Sequence, residues 1–378
     1  MEPAGLAALW RVIPEARVVG GAVRDRLAGR AVADVDLACP LSPEAVMARL
    51  AAAGVRAIPT GIAHGTVTAL VDGQGFEITT LRRDVATDGR HAVVRFIDDW
   101  REDAARRDFT INAMSMDQAG TVFDYFGGRA DLAQGIVRFV GDPARRIGED
   151  YLRILRFFRF FARYAQGAAD AAAVAAIIAM REGLRRLSAE RVWQELKRIL
   201  VAPDPRAALA LMRTSGVLAI VLPEAGGFDA FDAMIGAAAP VDPLLRVAAL
   251  IPDDPAIADR LKLSDAERAR IGRLHEAPLL ATDADDAALR RALADWEGAT
   301  LIDRTWLAPG AERADLRRRL AGMARPVFPL KGRDAVALGM MPGPAVGAGL
   351  AAVRLWWLEQ GCLPSRDDCL AKLATLIS

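Results

Sequence analysis

Apolar and polar positions trade places in two different rhythms along this chain. ARVV (Ala16–Val19) ahead of a glycine pair and DVDLA (Asp34–Ala38) after it read as short strands, with GAVRDRLAG between them as a helix. SPEAVMARLAAAG reads as a helix capped by Ser42 and stopped by Gly54. GTVTALV and GFEITTL alternate around the turn residues DGQG, which predicts a hairpin. After about Val140 the spacing becomes helical: RRIGEDYLRILRFFRFFARYA, SAERVWQELKRILVA, PRAALALMRTSGVLAIVLPEAG and DAALRRALADWEGATLIDRTWLA all repeat apolar residues three and four apart. The pattern predicts a mixed α+β first third followed by helices, with breaks near residues 137, 200 and 275.

Composition narrows this picture. With 378 residues, 53% hydrophobic and 26% charged, the chain is long enough for several folded modules. A formal net charge of +1 confines any polyanion site to a local patch. The basic residues are overwhelmingly arginine, whose planar fork suits phosphates and base edges. Cys39, Cys362 and Cys369 form no CxxC pair, against a disulfide framework or structural zinc and in keeping with a reducing cytosol. Glu2 and Arg11 interrupt what a secretion signal would need. The uncharged run Ala335–Val353 contains Pro342, Pro344 and four glycines, so it reads as helix, turn and helix packed in protein and not as a membrane span.

Candidate chemistry begins at Asp34 and Asp36. On a strand, i and i+2 project the same way, so two carboxylates converge, an arrangement that suits a hard divalent cation such as Mg²⁺. Two exposed acids on an edge strand give the same pattern; the neighbouring glycines shift the balance. Gly20 and Gly21 let backbone approach a ligand, and the following helix offers its first turn, with Arg24, to a triphosphate. Glu77 faces away from Phe76 and Ile78, where it would complete the metal site, act as a base, or simply face solvent. Arg106 and Arg107 in EDAARRDFTINAM suit a phosphate clamp or a solvated helix end, and FDYFGG reads as a turn with special backbone angles. RRDVATDGRHAVVRF, Arg82 to Phe96, reads as a mobile loop or a long hairpin connection.

In EDYLRILRFFRF, Asp150, Arg153, Arg156 and Arg159 recur every third residue on one broad helix face, opposite Tyr151, Ile154, Leu155 and Phe158. A surface ion-pair ladder would look the same. As a ligand site it says more. Aspartate accepts and arginine donates, which matches the amine and ring nitrogen of cytosine and of adenine, whereas guanine and uracil would leave buried polar groups unpaired. Asp150 and Arg153 then choose C and A without a nucleic-acid template.

These segments together resemble the class II tRNA nucleotidyltransferase and poly(A) polymerase family: GGAVRD with DVD, RRDFTIN, DYFGG, EDYLRILR and SAERVWQEL occur in that family's order from residue 20 to about 200. The tail segment LKGRDAVALGMMPGPAVGAGL is similar to that of CCA-adding members. The resemblance implies a polymerase-β-like nucleotidyltransferase head with a small mixed sheet (1–136), then an all-helical neck (137–200), body (201–275) and tail (276–378) that hold tRNA. It implies metal binding by Asp34 and Asp36, a catalytic carboxylate at Glu77, and nucleotide contacts from Gly21, Arg24, Arg107, Asp150, Arg153, Arg156 and Arg159. Mg²⁺ is the implied cofactor; ATP, CTP and the tRNA 3′ acceptor end are the implied partners, with no membrane and no obligate protein partner. Tyr125 stands where many bacterial members have proline, and DDWREDAARRD is similar to the eukaryotic and mitochondrial branch, which favours CCA addition over bacterial polyadenylation; a poly(A), A-adding or CC-adding enzyme of the same family is the nearest alternative. With only His64, His91 and His275 and no His-Asp dipeptide, a fused phosphohydrolase is not expected. A non-catalytic RNA-binding protein on the same scaffold is the rival from another class; the retained aspartates and arginine ladder argue against it.

Overall fold

The computed structural model describes residues 4–32, 34–87, 92–251, 256–308 and 313–377. The chain divides into two compact units, Met1–Pro223 and Glu224–Ser378.

In the first unit a seven-stranded mixed sheet has the order β3-β4-β5-β2-β1-β8-β9, from β1 (Arg17–Val19), β2 (Leu37–Cys39), β3 (Arg56–Gly61), β4 (Thr66–Val71), β5 (Gln74–Thr80), β8 (Met114–Met116) and β9 (Val122–Asp124). Every neighbouring pair is antiparallel except β2 and β5, which run parallel with Leu37 beside Ile78 and Ala38 beside Thr79. The expected hairpin is β4–β5. Asp72 (φ 51°) and Gly73 (φ 79°) both take positive φ at its turn, the geometry that matches the strands' right-handed twist. Alternation along β5 buries Phe76 and Ile78 against Leu6, Leu9 and Trp10 of α1 (Ala4–Val12) and Val46 and Leu50 of α3 (Pro43–Ala52). Ser42 caps α3, accepting from Ala45 N at 3.3 Å. Between β1 and β2 lies α2 (Gly21–Leu27).

Two expectations about strands need correction. The segment DVDLA is strand only from Leu37, so Asp34 and Asp36 precede β2; the Asp36 carbonyl accepts from Val19 N of β1 at 3.0 Å. Arg82–Phe96 holds two paired strands of its own, β6 (Arg82–Thr87) and β7 (Ala92–Phe96), and residues 88–91 lie outside the described residues.

Helix α4 (Trp100–Ala105) lies between β7 and β8, and after β9 come α5 (Gly128–Gln134), α6 (Pro143–Glu149), α7 (Leu152–Tyr164), α8 (Ala171–Met180) and α9 (Ala189–Leu200). Among the described residues no strand occurs after Asp124. The turn DYFGG uses Asp124 to accept from Phe126 N, Gly128 N and Arg129 N, and a Cβ on Gly128 would meet the Thr110 carbonyl at 2.2 Å. The apolar face of α7 seats Phe157 and Phe160 on Phe109 and Phe139, with Phe109 and Phe139 centroids 4.8 Å apart.

EDYLRILRFFRF is not one helix. Asp150 takes extended angles (φ −157°, ψ 110°) between α6 and α7, and its Oδ1 accepts from Leu152 N at 3.0 Å, a local bond that competes with helix continuation.

The second unit is helical. One core joins Leu289, Leu293, Leu301, Leu316 and Leu320; another joins Leu330, Val353, Trp357, Cys369 and Leu373. The uncharged run is helix (Gly332–Ala337), a turn at Gly343 and helix (Pro344–Glu359). Among the described residues no helix is long and apolar enough to cross a membrane.

Candidate active site

The site starts where β1 ends. Gly20 has φ 66° and ψ −123°, angles that an L side chain rarely adopts, and a Cβ there would meet Arg107 Nη1 at 2.9 Å. The glycine thus permits both the turn into α2 and the approach of the Arg107 guanidinium from just beyond α4. One turn on, Arg24 is buried: its Nη1 donates to Asn112 Oδ1 at 2.5 Å, its Nη2 pairs with Asp25 at 3.1 Å, and it lies over the rings of Phe160 (5.0 Å) and Tyr164 (4.6 Å).

Arg107 and Arg106 are held by Asp103 of α4, which accepts from Arg106 Nε at 2.9 Å, Arg107 Nη2 at 3.3 Å and Arg82 N at 3.2 Å. Burial pushes the Asp103 carboxyl up, but the two guanidiniums outweigh it and keep the pKa below the ordinary range. Asp108 repeats the arrangement, accepting from Arg156 Nε at 2.6 Å, Asn112 Nδ2 at 3.0 Å and Phe109 N at 2.9 Å. Its pKa too is lowered: burial opposes ionisation, and Arg156 with the hydrogen bonds prevails.

A cavity of about 680 Å³ opens between these groups, lined among others by Gly20, Gly21, Arg24, Arg107, Asp150, Arg153, Arg156 and Arg159. All seven residues expected to contact nucleotide line it. Arg153, Arg156 and Arg159 do share one face of α7, but each is already anchored. Arg153 Nη1 donates to the Arg146 carbonyl at 2.8 Å and pairs with Glu149; Arg156 pairs with Asp108; Arg159 pairs at 3.1 Å with Glu195, a buried residue of α9 that also takes Arg198 at 2.9 Å. Burial pushes the Arg159 guanidinium down to about 10, against the pull of Glu195, and it stays charged at neutral pH. Asp150 meets Arg153 through the backbone, its carbonyl accepting from Arg153 N at 3.0 Å, while its carboxylate Oδ2 accepts from Arg191 Nη2 of α9 at 2.8 Å.

Asp34, Asp36 and Glu77 are exposed and are not among the residues lining this cavity. Carried back one residue, the parallel β2–β5 register sets Asp36 beside Glu77. The surrounding backbone withdraws part of the Asp36 carboxyl from water; that withdrawal, then the charges of Glu77 and Asp34, hold its pKa above the usual value, while Arg107 acts the other way. A carboxyl raised by two neighbouring carboxylates fits a cation. Among the described residues no group of three or more His, Cys, Asp or Glu forms a complete metal cage, so substrate oxygens would have to supply further ligands.

Asp103, Asp108, Asn112, Glu149, Arg191 and Glu195 escaped the sequence reading. Each lies inside a recognised segment, yet its role is to hold another side chain across the fold, which spacing along the chain does not encode.

Two family models match, the poly A polymerase head domain over residues 16–138 and the probable RNA and SrmB-binding site of polymerase A over residues 170–226. The mitochondrial CCA tRNA nucleotidyltransferase 1 of Mus musculus is 37% identical over 94% of this chain and 86% of its own length, and that of Homo sapiens is 37% identical over the same shares. The crystal structure of the Bacillus stearothermophilus CCA-adding enzyme in complex with CTP superposes with a TM-score of 0.80 at 28% identity, covering 100% of this chain and 98% of that one. With that coverage and identity, and with the head-domain match lying over the sheet that carries the site, the chain belongs to the CCA tRNA nucleotidyltransferase and poly(A) polymerase family.

Proposed function

We propose that this enzyme adds CMP, CMP and AMP to the 3′ end of tRNA from CTP and ATP, releasing pyrophosphate. The observation that carries the reading is the cavity in which an acceptor, Asp150, and a donor, Arg153, stand beside a wall of arginines. Asp150 keeps lone pairs beyond those given to Leu152 N and Arg191, and Arg153 Nε and Nη2 remain beyond the Nη1 contacts to Arg146 and Glu149. That combination suits the amine and ring nitrogen of cytosine or adenine. Arg24, Arg107, Arg156 and Arg159 supply charge for the triphosphate, and Gly21 lets backbone approach it.

Enzymes of this family work with a divalent metal ion. We assign Mg²⁺, held by Asp34 and Asp36 with Glu77 beside them as third carboxylate. When bound, the metal lowers the pKa of the attacking 3′-hydroxyl and neutralises phosphate charge. The hydroxyl oxygen displaces pyrophosphate from the α-phosphorus, with the arginines fixing the in-line geometry. We take residues 1–136 as head, 137–200 as neck, 201–275 as body and 276–378 as tail, the helical part holding the tRNA acceptor. Three free thiols fit a reducing compartment, and we place the enzyme in the cytosol.

The test supplies tRNA transcripts ending at the discriminator base, at C and at CC with single nucleotides and Mg²⁺. The expected result is C addition to the first two and a single A on the third. Long A tracts, or A without prior C, would show a poly(A) or A-adding enzyme instead.

A further inference from the structure

A second cavity, about 530 Å³, is lined by Tyr164 together with Leu27, Arg30, Arg129, Leu132, Arg163 and neighbouring small residues. None of its lining residues is acidic. Arg129 and Arg163 are exposed, and neither guanidinium has a carboxylate partner among the described residues. The Tyr164 ring touches residues of both cavities: Arg24, of the first, lies 4.6 Å from its centroid and Arg30, of the second, 4.8 Å, while its hydroxyl donates to Asp25.

Arginines at such a place have an ordinary explanation. The C-terminal ends of α2, α5 and α7 all meet this cavity, and Arg30 Nη2 donates to the Arg163 carbonyl at 2.7 Å. Each helix end contributes at most about half a negative charge. Three such ends offset roughly half of three full positive charges, and Arg129 sits in the first turn of α5, not its last. An excess of positive charge remains beside Leu27, Leu132 and alanines.

We infer that this is a second phosphate-binding pocket, separate from the nucleotide cavity, that takes a phosphate oxyanion either free or within a bound RNA strand. The inference does not rest on the nucleotide reading of the first cavity. Arg129 and Arg163 provide forked contacts to the oxyanion from two sides, and Arg30, fixed by the Tyr164 ring and the Arg163 carbonyl, provides the third.

Two measurements on the full chain test it. Equilibrium dialysis of inorganic phosphate at low ionic strength, with CTP saturating, compares wild type, R129Q/R163Q and R107Q. Expected is phosphate binding that weakens about tenfold or more in R129Q/R163Q and is unchanged in R107Q. Binding of a tRNA transcript lacking CCA is then followed against salt. If bound RNA supplies the phosphate, the double variant loses about one to two units of log–log salt slope. A change in the first measurement assigns the free anion, and a change in the second assigns the strand. If both stay at wild-type values, the arginines merely cap helices and the inference is overturned. Arg129→Gln alone, at the exposed start of α5, repeats the comparison should the double variant show a lower urea midpoint. Failure of CMP addition to any tRNA would refute the enzymatic reading while leaving the phosphate result intact.

Discussion

Asp108→Asn is the most informative single change in the site. The carboxylate sits nearly out of solvent, with its side chain 8% exposed, and is shared between Arg156 on one oxygen and Asn112 with Phe109 N on the other. An amide of the same shape can keep one of these sides only. If its oxygen faces Asn112, its NH₂ faces the donors of Arg156. A hydrogen bond to a charged group is worth about 1.5–3 kcal/mol, and stranding a fully buried charge costs about 3–5 kcal/mol. The second figure already contains the first, and the Arg156 side chain is 32% exposed, so water relieves about a third of it and the loss falls at about 2–3 kcal/mol. Function should suffer as well. Arg156 loses its anchor, and Asn112, which orients Arg24 through a 2.5 Å hydrogen bond, loses part of its own. The expected outcome is a lower urea midpoint at pH 7 together with CTP affinity weaker by about tenfold or more, read by equilibrium dialysis. A variant whose stability changes by less than about 0.5 kcal/mol and whose CTP affinity is unchanged would show that Asp108 neither holds Arg156 nor supports the site.

Acid titration should reveal the same pairs. Asp103 and Asp108 both have pKa values lowered in the folded state by their arginines, so their contribution is present above the unfolded value near about 3.9 and drains away as pH falls through the folded values. Stability should therefore drop below about pH 4, less steeply in D108N than in wild type, as followed by circular dichroism. Gly20→Ala forces a side chain into a φ of 66° and against Arg107; it should cost about 1–3 kcal/mol and raise the CTP Kd. Asp34→Ala and Asp36→Ala remove exposed side chains, so the unfolding midpoint should hold while CMP incorporation falls by about 10³ or more; undiminished incorporation would move the metal elsewhere. Glu195→Gln should destabilise strongly, because Arg159 and Arg198 share its buried carboxylate, whereas Arg198→Ala, at an end 58% exposed, should cost under about 1 kcal/mol in the same urea titration.

What could be read from the chain follows the range of the forces involved. The β4–β5 hairpin is local: alternation chooses the buried face, and Asp72-Gly73 supplies the positive φ values, so a dozen residues suffice to predict it. The helix faces of α7 and α9 were legible for the same reason. Strands β3, β8 and β9 were not anticipated. Two of them, MSM and VFD, are three residues long, and at that length strand pairing and not periodicity makes the strand. Asp34 and Asp36 stood out as candidate chemistry, but spacing alone placed them on a strand. Recognising Asp108 or Glu195 as support would have required knowing that α7 lies between the RRDFTIN turn and α9.

The break at Asp150 bears on the base-selecting edge proposed for Asp150 and Arg153. In a continuous helix Asp150 and Arg153 would stand i,i+3 on one face, close enough to pair with each other, and a paired acceptor and donor present a satisfied surface to a ligand. The extended Asp150 backbone removes that outcome. Its carboxylate is taken by Arg191 from α9 and by Leu152 N, while Arg153 turns its Nη1 back to Glu149 and the Arg146 carbonyl at the end of α6. Each group is held by a neighbour of opposite character that leaves hydrogen-bonding capacity unused, and both line the same cavity. An edge fixed in this way loses little freedom when a base arrives, so the cost of ordering falls equally on C and A and the penalty for an unmatched donor or acceptor falls on G and U. Arg191→Ala and Glu149→Gln therefore act on selection without touching the base. With either, one side of the edge loses the neighbour that fixes it, and discrimination between CTP and UTP should weaken before triphosphate affinity does, measured as the ratio of kcat/KM values on a tRNA ending at C. Equal losses for both nucleotides would mean that these neighbours stabilise the neck and do not shape the edge.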